Sequence, residues 1–484
     1  MAGGEESLKN NRGFYSTVFI TVLIMFGFGF VPPFGEITPF GMRILGVFIA
    51  CIFAWSQGEL LWPSIMGLIA LALLDSGTVG SNYAAAFGNQ TSGLVIASLV
   101  FCFAIQRCGL LTEISIWILS KKFAQKSPWA LAIAFFLTAA FAGMLSTNCL
   151  PTTIILWALF YETAKPIGLK PYGPFTSIIL VGIVVIGYSG SCIMPYNIFA
   201  LISNGVAKTF DPTFQMDNFL YVVVQLLLNL IFIPLVILFL RYVVRPEINI
   251  EMVEREPYQL KLTKQMKVVT AYLIFLALAM LVPNILPEGN FIRVIFVNKL
   301  GNLGILLGLP VLMMMTRVKG EGILDIGEGL SKGVPWGLVL LVSSALAISD
   351  AMVAQSTGIV PTIVNTLAPL LEGKPPTVLI IIFCIMGLVT TNFINDIVTI
   401  TILLPIGCRF VVEAGGDPIL MTALFVPACI QGCFMPSGSV LGAMMHGNRT
   451  WLKSKDVYKY VFLMEMVLGI SFVIATPLLV KLFG

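Results

Sequence analysis

The chain of 484 residues is 58% hydrophobic, and only 11% of it is charged (28 Lys and Arg, 24 Asp and Glu), against about 25% in soluble domains. With a mean hydropathy of +0.96, this excludes a soluble globular enzyme and a disordered chain. A net charge of +4 is no basic footprint for nucleic acid, so an all-α polytopic membrane protein in a lipid bilayer remains.

The polar start, Met1 to Arg12, runs into an apolar segment with no A-x-A-like cleavage site, which reads as a retained first span. Apolar runs that suit spans follow at 17–33, 40–55, 61–74, 93–106, 219–240, 268–282, 300–315, 335–348 and 461–480. Three charge-free stretches are too long for one span and polar in the middle: 127–161, 171–207 and 418–448, the last holding the lone His446. The backbone breaks they imply, with a fourth in the hairpin below, fall at 141–153, 187–197, 389–399 and 432–439. In hydrocarbon such breaks survive only where protein or a cavity surrounds them.

The order hairpin, broken helix, hairpin, broken helix divides the chain in two. Residues 1–250 hold a re-entrant hairpin at about 127–163 and a broken helix at about 176–205. Residues 251–484 hold a hairpin at about 375–412 and a broken helix at about 418–446. Short matches repeat in the same order: Ser146-Thr147-Asn148 with Thr390-Thr391-Asn392, and Cys192-Ile193-Met194-Pro195 with Cys433-Phe434-Met435-Pro436. This is the pattern of a secondary transporter built from inverted repeats. With the N-terminus cytoplasmic, about 11 crossings and both hairpins re-entrant, 21 of the 28 basic residues lie inside and the C-terminus outside.

Hairpin tips place helix N-termini, with their partial positive charge, inside the membrane, where they suit an anion. Side-chain and freed carbonyl oxygens suit Na+. The substrate candidates are Thr147, Asn148, Cys149, Asn395, Ser191, Pro195, Asn197, Pro436, Ser437 and Ser439. The ion candidates are Ser146, Asn148, Ser189, Gly190, Asn392, Asp396 and Gly438. Each group also has a plainer reading, as helix-packing polar residues or a Pro/Gly kink. Asp396 is the sharpest feature, because 375–408 is otherwise uncharged. A carboxylate at membrane depth marks a proton or ion site unless it merely caps a helix at a solvated mouth. The other acids are expected in loops or at span ends, Asp350 among them. Nine scattered cysteines and one histidine give no zinc site, disulfide framework or catalytic triad. No cofactor is expected beyond Na+ or H+ as coupling ion, with Na+ at the hairpin tips the one metal considered.

The segments 53–74, 103–119 and 334–358 resemble the divalent anion/sodium symporter family of the ion transporter superfamily, and the likeness runs from about Phe14 to Leu482. It implies an elevator-type transporter, a homodimer, that moves dicarboxylates, citrate or sulfate with Na+ or by exchange. Thr147-Asn148-Cys149 stands where that family carries Ser-Asn-Thr. In the second hairpin Asn395-Asp396-Ile397 stands there, with Thr391-Asn392 as the other register. The expected activity is cation-coupled symport or exchange of small di- or tricarboxylates. A cation/proton antiporter built on Asp396 is the alternative.

Overall fold

Proline and small polar residues set where many helices begin. Pro39, Pro128, Pro174, Pro376 and Pro418 sit in the first turn of their helices, where a missing N–H breaks no hydrogen bond. Thr38, Ser127 and Thr263 accept from backbone N–H groups three residues on, satisfying donors the helix leaves open. In the computed structural model these signals produce an almost entirely helical chain. The structure describes residues 2–484 apart from Gly58, Thr147, Asn148, 249–257 and Ser437.

The first half runs α1 (Ala2–Gly27), α2 (Pro39–Ser56), α3 (Leu61–Leu73), α4 (Val79–Phe87), α5 (Gln90–Arg107) and α6 (Leu110–Leu119). A hairpin follows, α7 (Pro128–Leu145) and α8 (Cys149–Ala164). Then comes a broken helix, α9 (Pro174–Ser191) and α10 (Ile198–Phe210), and then α11 (Asn218–Phe239). The second half opens with α12 (Lys264–Ile285). The short α13 (Phe291–Arg293) leads into α14 (Gly301–Met315). A two-stranded turn, β1 (Arg317–Val318) against β2 (Glu321–Gly322), and α15 (Ile326–Glu328) lead to α16 (Trp336–Val353) and α17 (Ile359–Leu371). The second hairpin is α18 (Pro376–Thr390) and α19 (Asp396–Glu413). The second broken helix is α20 (Pro418–Cys429) and α21 (Val440–Gly447), and α22 (Ser454–Phe483) packs over both.

Among the described residues nine helices are long and apolar enough to cross a membrane, ten if the α17–α18 pair, bent by 118°, is one span. The sequence led to about 11. The difference lies in short helices: Leu61–Leu73 and the apolar stretch Phe14–Phe30 have fewer than 18 residues. At 1.5 Å per residue, 13 residues reach only ~20 Å of a ~30 Å hydrocarbon core.

The interior centres on the two broken helices. α9 is buried along its length from Phe175 to Ser191, and α20 from Leu420 to Cys429. Backbone contact seats α7 on α9. A Cβ at Gly190 would lie 2.4 Å from the Cα and carbonyl oxygen of Ala140, and one at Gly143 2.6 Å from the carbonyl oxygen of Gly187. Large apolar side chains such as Phe19, Leu230, Ile274 and Val473 face outward, as lipid contact requires. One expectation about the acids fails. Glu465 sits neither in a loop nor at a span end but inside α22, only 7% exposed.

Candidate functional site

The site is assembled where three short helices begin. α8 starts at Cys149, α19 at Asp396 and α21 just after Ser439. The Tyr188 ring, from the last turns of α9, reaches the same place. It is buried, and its hydroxyl lies beside Ser439. Tyr196 fixes the first tip from its other side, donating to the Met144 carbonyl at 2.8 Å.

The second tip is the more polar. The Thr391 hydroxyl donates to Asp396 Oδ1 at 2.7 Å and also lies against the Cys429 carbonyl. The backbone of Gly432 closes over the carboxylate so tightly that a Cβ there would come 2.5 Å from Oδ1. Asp396 itself is buried. It is the first residue of α19, and the cap is its neighbour: Asn395 Oδ1 accepts from the Ile397 N–H at 3.0 Å. Helix capping therefore does not account for the acid at 396. Among the described residues no salt bridge includes it.

Asn392 joins three elements. Its Nδ2 donates to the Leu388 carbonyl at 2.9 Å and to Glu465 Oε2 at 2.8 Å, and its Oδ1 accepts from the Phe434 N–H at 2.8 Å. The two halves are tied by Gln431, whose Nε2 donates to the Val185 carbonyl at 3.2 Å, and by Gln225, which donates to the Ala423 carbonyl at 2.6 Å.

The other candidates divide. Thr147, Asn148 and Ser437 lie outside the described residues. Gly438 and Ser439 belong to the group; Ser439 also caps α21 through the Gly442 N–H at 3.0 Å, and Gly438 packs on the Gly432 carbonyl. Ser146 lies 3.3 Å from Cys102 Sγ. Asn197 caps α10 through the Phe199 N–H at 2.8 Å. Ser191 donates back to the Tyr188 carbonyl, and Ser189 turns toward Asn229 of α11 at 2.9 Å. Gly190 serves the close approach to Ala140. Pro195 is buried in the α9–α10 break, and Pro436 is exposed. His446 faces the Phe434 carbonyl at 2.9 Å and packs on Tyr458. Asp350 is exposed.

Residues 16–407 match the model of the citrate transporter family (CitMHS). The chain belongs to the citrate transporter family. This member is a multi-pass membrane protein of a transporter family, not an enzyme. The resemblance to divalent anion/sodium symporters also finds a match: human solute carrier family 13 member 4 is 31% identical over 119 residues, 24% of this chain. That match spans 18% of the human protein's length. The fold is similar to the Alcanivorax borkumensis YdaH transporter, with a TM-score of 0.53 at 13% identity, covering 90% of this chain and 98% of that one. It is equally similar to Neisseria gonorrhoeae MtrF, described as illuminating a class of antimetabolite efflux pumps. There the TM-score is 0.53 at 14% identity, over 96% of this chain and 98% of that one.

Tyr188, Gln431 and Glu465 were not singled out from the sequence. For Glu465 a signal existed: it is the one acid in the apolar run 461–480. It also falls on the buried stripe of α22 with Val461, Met464, Leu468 and Phe472, at helical spacing. Tyr188 and Gln431 carry no such mark, because their partners are far away in sequence.

Proposed function

We propose that this protein is a secondary active transporter of small di- or tricarboxylates, coupled to a cation, working by alternating access. The observation that carries the reading is the meeting of two helix N-termini, those of α19 and α21, around Asp396, Thr391 and the Gly432 and Gly438 backbone. Their partial positive charges and open N–H groups attract a carboxylate. Asp396 opposes one by Coulomb repulsion, so a bound Na+ or H+ is needed to complete the anion site. That requirement is itself a coupling mechanism. In this reading the two hairpins are re-entrant, the halves 1–250 and 251–484 are inverted repeats, and the transport body moves as an elevator within a homodimer. The N-terminus faces the cytoplasm and the C-terminus the outside.

A cavity of about 410 Å³ supports the anion class. It is lined by Asn204, Lys208, Asn218, Arg293, Lys299 and Asn302 among others. A smaller cavity beside it shares Asn204 and Asn218 and reaches Pro195 in the α9–α10 break. Three cations against one acid, Asp217, with several amides, make this lining favourable to an anion over a neutral solute.

Proteoliposome uptake of succinate, malate, citrate and sulfate under imposed Na+ and pH gradients, with counterflow, tests the reading. Gradient-stimulated uptake of a carboxylate is expected. No stimulated uptake or counterflow of any of the four would end it. The buried, unpaired Asp396 favours a second reading, a cation/proton antiporter. That one requires Na+ to dissipate a pH gradient in vesicles holding no organic anion.

A further inference from the structure

Glu465 is a second acid in the same neighbourhood. It is the twelfth residue of α22 and is 7% exposed. One carboxylate oxygen, Oε2, accepts from Asn392. The other, Oε1, is buried with no hydrogen-bond partner among the described residues. A buried carboxylate oxygen without a partner forfeits its solvation. Such an atom in a native protein calls for a partner of its own, a proton, an ion or a water.

The surroundings select what binds. Sodium asks for several oxygen ligands at once, and the open acceptor on Glu465 is a single oxygen. A proton needs one oxygen. Among the described residues no salt bridge includes Glu465; α9, α11, α18, α20 and α21, packed against α22, contain no Lys or Arg, and the nearest lysine on α22 itself, Lys459, is six residues away. The titratable groups that act on Glu465 are Asp396 on α19 and Cys433 in the α20–α21 break. The packed elements add Tyr188 and Cys192 at the end of α9, Tyr221 on α11, Cys384 on α18, Cys429 on α20 and His446 on α21.

The two acids are held by adjacent residues, Asp396 by Thr391 and Glu465 by Asn392. Loading one alters the turn that orients the other. Asn392 has both amide hydrogens and its oxygen engaged, so it cannot follow Glu465 without pulling on Leu388 and Phe434.

We propose that Glu465 is a proton-binding site of the transport cycle, linked through Asn392 to the second hairpin tip. The proton comes from water on one side and returns to water on the other, and Glu465 alternates between neutral acid and carboxylate. This deepens the transporter reading and rests on it, except in its spectroscopic test. In infrared difference spectra of the purified full chain, a protonated-carboxyl C=O band that titrates with pH is expected. The band should vanish in Glu465→Gln and shift in Glu465→Asp. Absence of a titrating band assigned this way overturns the proposal, whatever the substrate proves to be. In proteoliposomes, wild-type carboxylate counterflow should vary with pH. Glu465→Gln should keep a reduced counterflow that no longer varies with pH, and should lose at least tenfold of its pH-gradient-driven accumulation. Full pH-driven accumulation in that variant overturns the proposal. If the wild type shows no counterflow of any carboxylate, the substrate reading fails and the infrared titration still decides the role of Glu465.

Discussion

The two hairpins have similar helices, each seated by glycines and side chains, and differ most in how polar their tips are. The first, α7–α8, rests on α9 by backbone contact at Gly143 and Gly190, and its described tip residues, Ser146 and Cys149, are neutral. The second, α18–α19, meets α20 through side chains: a Cβ at Gly387 would face Cys429 Sγ at 2.8 Å and the Phe425 ring at 2.9 Å. Its tip is then fixed by polar contacts of Thr391, Asn392 and Asp396. Backbone-to-backbone packing has only one arrangement, because neither side can change rotamer. Polar side-chain contacts can be remade. In the proposed transport cycle the first hairpin would be the fixed wall and the second the part whose state an ion changes.

The largest expected effect comes from attacking the wall. Gly190→Val would push a branched side chain into the Ala140 backbone. Overpacking that cannot relax costs about 3 kcal/mol or more. Loss of the monodisperse detergent-solubilised peak in size exclusion is the expected result. A well-folded, active Gly190→Val would remove the contrast between the hairpins.

Next comes Asp396→Asn, which keeps shape and removes charge. Thr391 can still donate to the amide oxygen, so folding should change little. Cation-gradient-driven accumulation should fall at least tenfold, which corresponds to ~1.4 kcal/mol. Thermal stability in detergent and gradient-driven uptake, measured together, separate the two effects. Unchanged ion dependence would refute the role given to Asp396.

The smallest effect compares two asparagine caps, one in the first broken helix and one at the second hairpin tip. Asn197 caps α10 and Asn395 caps α19, each through the N–H two residues on. Alanine at either should cost ~1 kcal/mol of stability, read as a similar drop in melting temperature. If the second hairpin is the changeable one, Asn395→Ala should also alter the ion concentration for half-maximal uptake, and Asn197→Ala should not. Equal shifts in both would mean the halves respond alike.

Most of the fold was readable because bilayer physics writes itself into composition. Charge-free runs with Pro and Ser in their middles can only be hairpins or broken helices. Of the site, Asp396 was readable because a lone acid in an apolar run stands out. The meeting of Tyr188 with Ser439, and of Asn392 with Glu465, was not. Those contacts join residues 251 and 73 positions apart, and no local pattern encodes such a pairing. Ser189 misled for the same reason: its hydroxyl serves α11 rather than the break it belongs to.

The long α22 covers α9, α11, α18 and α20 and carries Glu465. The ribosome makes it after every helix it covers. Until it docks, Asn392 lacks its acidic partner and the buried faces of α9 and α20 lack part of their cover. Completion of the ion-handling network and sealing of the interior are therefore one event in the protein's biogenesis. A molecule stalled before residue 454 would expose apolar and polar surfaces together.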